Sequence, residues 1–145
     1  MSETETDVTI VGAGPTGLFA AYYAGFRGKR VTLVDALPQP GGQVSAMYPE
    51  KEILDVAGFP AVRGRELVDR LVAQADRFAP TYVLGERAAE LDRAGDGLVL
   101  RTSGGRTIRT RAVVVAAGIG HSAPRPMSPA PGIVAGDIAH FVPDP

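Results

Sequence analysis

Apolar and polar positions fall into blocks that alternate between two periods. Val8, Thr9, Ile10 and Val11 form a short β-branched run. A glycine-rich turn follows, then a helical pattern from Pro15 to about Arg27, then a second run of Val31, Thr32 and Val34 that closes on Asp35. Short apolar runs on either side of a helix are the mark of strands buried on both faces of a parallel sheet. The small residues Gly17, Ala20, Ala21 and Ala24 allow the helix to approach that sheet closely, and Gly25 and Gly28 mark its end. Tyr22, Tyr23 and Phe26 read as packing residues rather than as stackers for a bound ring.

Residues 36–60 lack regular periodicity, and Pro38, Pro40, Gly41 and Gly42 resist placement inside an element. An unstructured stretch of that length in a compact domain usually wraps something. Helical spacing resumes at Leu67, Leu71, Ala75 and Phe78, which predicts an amphipathic helix over 63–78, stopped by Pro80, with its Arg and Asp residues on a solvated face. Four short β-rich runs follow: Thr81–Leu84, Ala88–Asp92, Leu98–Thr102 and Thr107–Arg109. Hairpin signals lie at Ala94–Gly97 and Ser103–Arg106. The first run reads as a further strand of the parallel sheet and the rest as a small antiparallel meander. Ala112–Ala117 is apolar throughout and predicts a fully buried parallel strand, with Gly118 and Gly120 letting the chain leave it.

The chain has 145 residues, about one ordinary domain and enough to bury a core. Its net charge of −1, without a basic block, argues against nucleic acid or a membrane surface as the main partner. No apolar run is long enough to span a bilayer, and the arm MSETETD is acidic, the reverse of a secretory signal, so a cytoplasmic location is the default. Zero cysteines exclude disulfides, thiolate metal sites and a redox dithiol within this stretch. Nothing in the pattern suggests a metal cluster, a carboxylate pair or an activated nucleophile, and no catalytic side chain is expected. Glu50 and Lys51 read as a loop ion pair.

The chemistry concentrates at the first turn. Gly12, Gly14 and Gly17 are spaced G-x-G-x-x-G between a strand and a helix, the context in which that spacing signifies a dinucleotide site. Gly12 allows a sharp turn, Gly14 lets a pyrophosphate lie against the backbone, and Gly17 lets the helix close onto the strand. Pro15 opens the helix without losing a useful N–H, and with Thr16 it begins the end that offers free N–H groups and partial positive charge to phosphate. Asp35 lies close to the expected distance of about 20 residues for an acid that binds the adenosine ribose. A carboxylate there favours free hydroxyls over a 2′-phosphate.

Three further motifs in one order, GGQ at Gly41–Gln43, YPEK at Tyr48–Lys51 and DVAGFP at Asp55–Pro60, resemble the thioredoxin-reductase-like ferredoxin–NADP reductases. The resemblance implies an α/β, Rossmann-like FAD-binding domain over 1–120, with a parallel sheet and a small antiparallel β-meander. It would be incomplete relative to the full two-domain flavoprotein. It also implies that FAD lies with its pyrophosphate on the glycine turn and its ribose on Asp35. Gly42, Gln43 and Tyr48 would follow the flavin half, and the backbone at Ala88 would touch the adenine. Ala116-Ala117-Gly118 looks like the A-A-G return of such flavoproteins beside FAD, a feature an NAD dehydrogenase would not need. The family usually reads A-G-N-G-A-F-x-P-R beyond this point, whereas Ser122 here stands in place of the Phe and His121 precedes it.

Residues 121–145 are rich in proline and read as a linker towards an absent NADPH-binding domain, IAHFVPDP looking like the segment that enters that domain. Pro131–Asp137 also looks like the P-G-I-x-A-x-G-D element that closes such FAD sites. The resemblance implies electron transfer between ferredoxin and NADP by way of FAD, with ferredoxin or another small redox protein as partner and a homodimer as an open assembly. Alternatives are a thioredoxin reductase-type flavoprotein, against which YPEK and DVAGFP count, or a truncated, non-catalytic cofactor-binding module. The chain alone is expected to bind FAD weakly or not at all.

Overall fold

A computed structural model describes residues 3–120. The framework is a parallel sheet built from β2 (Val8–Val11), β3 (Val31–Asp35), β6 (Thr81–Leu84) and β10 (Ala112–Val115), in the spatial order β10-β2-β3-β6. Its residues alternate between two buried faces, as a strand period of two requires. Ile10, Val31 and Leu33 face a helical layer and pack with Leu18 and Ala21 of α1 (Pro15–Phe26) and Ala75 of α3 (Gly64–Ala75). Val34 and Val83 face the other way and pack with Leu100 and Ile108 of the antiparallel strands. The α/β class, the parallel sheet and the meander thus stand as the sequence predicts, in three layers.

The second sheet runs β1-β9-β8-β7. It joins β7 (Ala88–Ala94), β8 (Gly97–Thr102) and β9 (Thr107–Thr110) as a meander, with β1 (Glu3–Glu5) laid parallel to β9. Glu3–Glu5 reads in sequence only as an acidic arm. Its strand character comes from β9, whose Arg109 pairs with Glu3, and from Thr6, whose N–H donates to the Arg109 carbonyl at 3.0 Å.

Local structure departs from expectation in five further places. Within 36–60 there is a short helix α2 (Gly42–Met47), and β4 (Glu52–Ile53) pairs antiparallel with β5 (Val62–Arg63), so the stretch is partly ordered by its own backbone. Ala112–Ala117 is not a buried strand: β10 ends at Val115, which is 75% exposed, and Val114 is also exposed. The physical reason is topology, because among the described residues β10 is an edge strand with β2 as its one neighbour. Gly25 lies inside α1 rather than at its end, with an added Cβ falling 2.7 Å from Phe78 Cγ; Gly28, at φ +72, is the residue that leaves the helix. Tyr22 and Phe26 pack on Phe78 at 5.7 and 6.4 Å between rings, although Phe26 stays partly in solvent and Tyr23 is exposed. Lastly, Glu50 pairs with Arg65, not with Lys51, whose ammonium lies over the Tyr48 ring. The predicted helix ends in a 3-10 turn at Asp76–Phe78, and its solvated face carries the Glu66–Arg70 pair at 2.6 Å.

Candidate functional site

The glycine turn leaves β2 at Gly12, whose φ of +108 is the left-handed backbone that glycine tolerates. A side chain there would also drive into β10, since an added Cβ would sit 2.7 Å from the Ala116 carbonyl carbon. Gly17 has no room either: its Cβ would overlap the Gly12 carbonyl, so α1 lies directly on the turn it follows. Gly14 is the N-cap of α1. No side chain caps it, Pro15 occupies the first helical turn, and that turn carries no acidic residue. The helix therefore presents its positive end without a side-chain cap or an acid in its own first turn.

Asp35 faces this turn. Its Oδ2 accepts from the Ala13 N–H at 2.6 Å, and its Oδ1 accepts from the Leu37 N–H at 2.8 Å. An ionised carboxylate has about four acceptor positions, so two remain for outside hydroxyls. The acid at the end of β3 thus braces the glycine turn and keeps capacity for a ligand.

The GGQ segment closes on the same place. Gly41 N–H donates to the Ala13 carbonyl at 2.8 Å, and an added Cβ on Gly42 would lie 3.0 Å from Gly14 Cα. Gln43 reaches across to the exit of β10: a Cβ on Gly118 would lie 3.7 Å from its Nε2. Gly12, Gly14, Pro15, Asp35, Gly42, Gln43, Ala117 and Gly118 thus gather at the C-terminal ends of β10, β2 and β3, the edge where ligands bind in open α/β sheets. Thr16 is exposed on the first turn of α1. Ala88 begins β7, opposite Thr102, just beyond the end of β6. Tyr48 caps α2 and is bent back by its own loop, the Lys51 N–H donating to its carbonyl at 3.1 Å and the Lys51 ammonium lying 5.7 Å from its ring centre. Ser122 and His121, and the two motifs beyond Pro124, lie outside the described residues.

Sequence reasoning missed Ala13, and it named Gly41 and Ala116 within motifs without their contacts to the turn, because each acts through its backbone and carries no side-chain signal. The doubled glycine at Gly41-Gly42 was the available clue: Gly41 adopts φ +109 to bring its N–H onto the turn.

A family model described as an NAD(P)-binding Rossmann-like domain matches residues 10–63. The ferredoxin–NADP reductase of Saccharopolyspora erythraea is 56% identical over 140 residues, 97% of this chain and 43% of that protein. That of Salinispora tropica is 57% identical over 141 residues, covering 97% of this chain and 44% of that protein. The chain is a relative of the ferredoxin–NADP reductases. It spans under half the length of these two reductases, and the match runs through the glycine turn, GGQ, YPEK and DVAGFP alike. Among solved structures, thioredoxin reductase from Streptococcus pyogenes superposes with a TM-score of 0.68 at 23% identity, over 79% of this chain and 35% of that one. A flavin-containing monooxygenase from Stenotrophomonas maltophilia gives 0.64 at 21% identity, over 78% and 38%. These two share the fold. Among the described residues no helix is long and apolar enough to cross a membrane.

Proposed function

We propose that this chain is the FAD-holding part of a ferredoxin–NADP reductase. The observation that carries the reading is the Asp35 carboxylate, set on the Ala13 N–H with acceptor capacity to spare. Around it, the residues fit a flavin dinucleotide. The bare backbone at Gly14 and the uncapped start of α1 at Pro15 and Thr16 suit a pyrophosphate. Asp35 suits a ribose with free hydroxyls and opposes a 2′-phosphate. Gly42, Gln43, Ala117 and Gly118 line the route towards the flavin, with Tyr48 beyond them and Ser122 further along the chain.

FAD, when bound, supplies both one-electron exchange and hydride transfer. The chain's own residues would bind and orient it: the turn holds the diphosphate and Asp35 the sugar. No side chain in the described residues is asked to move a proton. The NADP-binding region and the contacts with ferredoxin would then belong to the larger share of the relatives' length that this chain does not match. The 56% identity to reductases named for ferredoxin favours this reading over a thioredoxin reductase.

The test is an amide NMR titration of the 145-residue chain, which detects weak, fast-exchanging binding. FAD is expected to shift Ala13, Gly14, Thr16 and Gly118, NADP to bind the same turn more weakly, and Asp35→Asn to narrow that difference. NADP binding as tight as FAD at the glycine turn, or no shift at the turn with millimolar FAD, overturns the reading.

A further inference from the structure

The order of the sheet gives an order to the ligand. A dinucleotide lying along the C-terminal strand ends meets the β10 exit, then the glycine turn after β2, then Asp35 at the end of β3. On the far side of Asp35 comes β6, whose continuation is Gly85–Arg87. A base attached to a sugar on Asp35 therefore runs towards residues 85–88.

That segment is held unusually well for a loop. Gly85 N–H donates to the Leu37 carbonyl at 2.9 Å and Glu86 N–H to the Asp35 carbonyl at 3.1 Å, tying it to the acid's own backbone. Arg87 and Ser103 exchange two bonds: Arg87 N–H donates to Ser103 Oγ at 3.0 Å, and Ser103 N–H to the Arg87 carbonyl at 2.8 Å. The Glu86 side chain turns inward to the β8–β9 hairpin. The Thr102 hydroxyl donates to its Oε2, and Arg106 Nε donates to its Oε1 at 3.1 Å. Thr102 also accepts from the Arg106 N–H at 3.1 Å and stands opposite Ala88 in the ladder. Gly104 leaves the space for this carboxylate, since a Cβ there would lie 2.5 Å from Glu86 Cδ. A half-buried acid with both oxygens engaged costs desolvation, and on a surface loop it is easily replaced by a neutral residue. Its position between Asp35 and Ala88 is what the arrangement secures.

We propose that Glu86 is a positioning residue for the base half of the dinucleotide: clamped by Thr102 and Arg106, it fixes the 85–88 backbone against Asp35 and so sets the wall on which adenine rests. This deepens the FAD reading and rests on it. The clamp joins the meander to the nucleotide's far end through the two bonds to the Glu86 carboxylate, beside the two between Arg87 and Ser103.

The probes are ADP, which carries the base, and inorganic pyrophosphate, which does not, titrated by NMR into the 145-residue chain. Wild type is expected to prefer ADP, with shifts at Arg87 and Ala88 as well as at Gly14. Glu86→Gln is expected to lower ADP affinity about tenfold, the scale of one charge-assisted hydrogen bond, with pyrophosphate affinity unchanged. Gly104→Ala, which alters no polar group but displaces the carboxylate, is expected to do the same, and Thr102→Ser, which keeps the donor, to restore near-wild-type preference where Thr102→Val does not. An unchanged ADP preference in both Glu86→Gln and Gly104→Ala, or a parallel loss of ADP and pyrophosphate, overturns the role of Glu86 while leaving the dinucleotide site intact. Wild type that binds pyrophosphate without preferring ADP overturns it too. Wild type that binds neither overturns the site itself.

Discussion

Gly12 and Ala116 touch across the β2–β10 pair so closely that one methyl group on Gly12 would overlap the Ala116 carbonyl oxygen. The turn and the edge strand are therefore built as one unit. Gly12→Ala combines left-handed strain with overpacking, and the expected loss of stability is about 3–5 kcal/mol. Gly28→Ala, at φ +72 but with nothing within 4 Å, isolates the strain and is expected to cost about 1–2 kcal/mol. Urea melts of the two variants separate the terms; equal losses would show that Ala116 exerts no steric constraint.

Thr9 lies fully buried in the centre of β2, beside Thr32 and Val113, and its hydroxyl has no hydrogen-bond partner. Its side chain faces the meander layer, in the same register as Val11. Thr9→Val replaces an unsatisfied hydroxyl with a methyl of similar shape and is expected to raise stability by about 1 kcal/mol. A fall in the thermal midpoint would mean that the hydroxyl is paired in solution.

Stability should change at both ends of the pH scale. The Arg30 backbone N–H, with help from its guanidinium, holds the Asp7 carboxyl below its ordinary range, and the Thr102 hydroxyl and then Arg106 do the same for Glu86. Depressed folded values mean that these carboxylates contribute fully above the ordinary carboxylate range. That contribution is lost as pH falls from that range through the folded values. Glu86→Gln should flatten the acid limb of a stability–pH profile. Tyr82 behaves in the opposite sense: burial, then the bond from its Oη to Asp76, pushes its phenol well above the usual range. Its contribution is complete below the ordinary phenol value and disappears as pH rises past it. Tyr82→Phe should remove that alkaline loss; an unchanged alkaline limb would contradict it.

The exposed run of β10 gives a third kind of test. Val114 and Val115 stand on a strand that, among the described residues, has an open edge, a geometry that templates pairing between chains. Val115→Lys is expected to reduce concentration-dependent association of the 145-residue chain, measured by light scattering, with little change in its melting midpoint.

The parts of this molecule that were legible in the sequence are those where side-chain pattern and backbone geometry agree. Val8–Val11, Pro15–Phe26 and Val31–Asp35 carry the strand and helix periods at full length, and glycine spacing fixes the turn between them. Thr107–Thr110 and its partners were bounded by glycine hairpins. What escaped notice depended on neighbours far away in the chain. Glu3–Glu5 is a strand because Thr107–Arg109 lies beside it, and Val115 is exposed because of where β10 falls in the sheet, although its composition is that of a core strand. At the site, Asp35 was visible as an acid at the right distance, but its grip on Ala13 was not, since a backbone N–H leaves no trace in composition.

The edge position of β10 also divides the site by ownership. The proposed sugar-and-base end lies at β3, β6 and the meander, all supplied by residues 3–120, with Glu86 bonded to Thr102 and Arg106. The opposite end, at Ala117 and Gly118, follows β10, which pairs with β2 alone among the described residues. On the proposed FAD reading, the described residues would enclose the adenylate end of the ligand more fully than the end at Ala117 and Gly118.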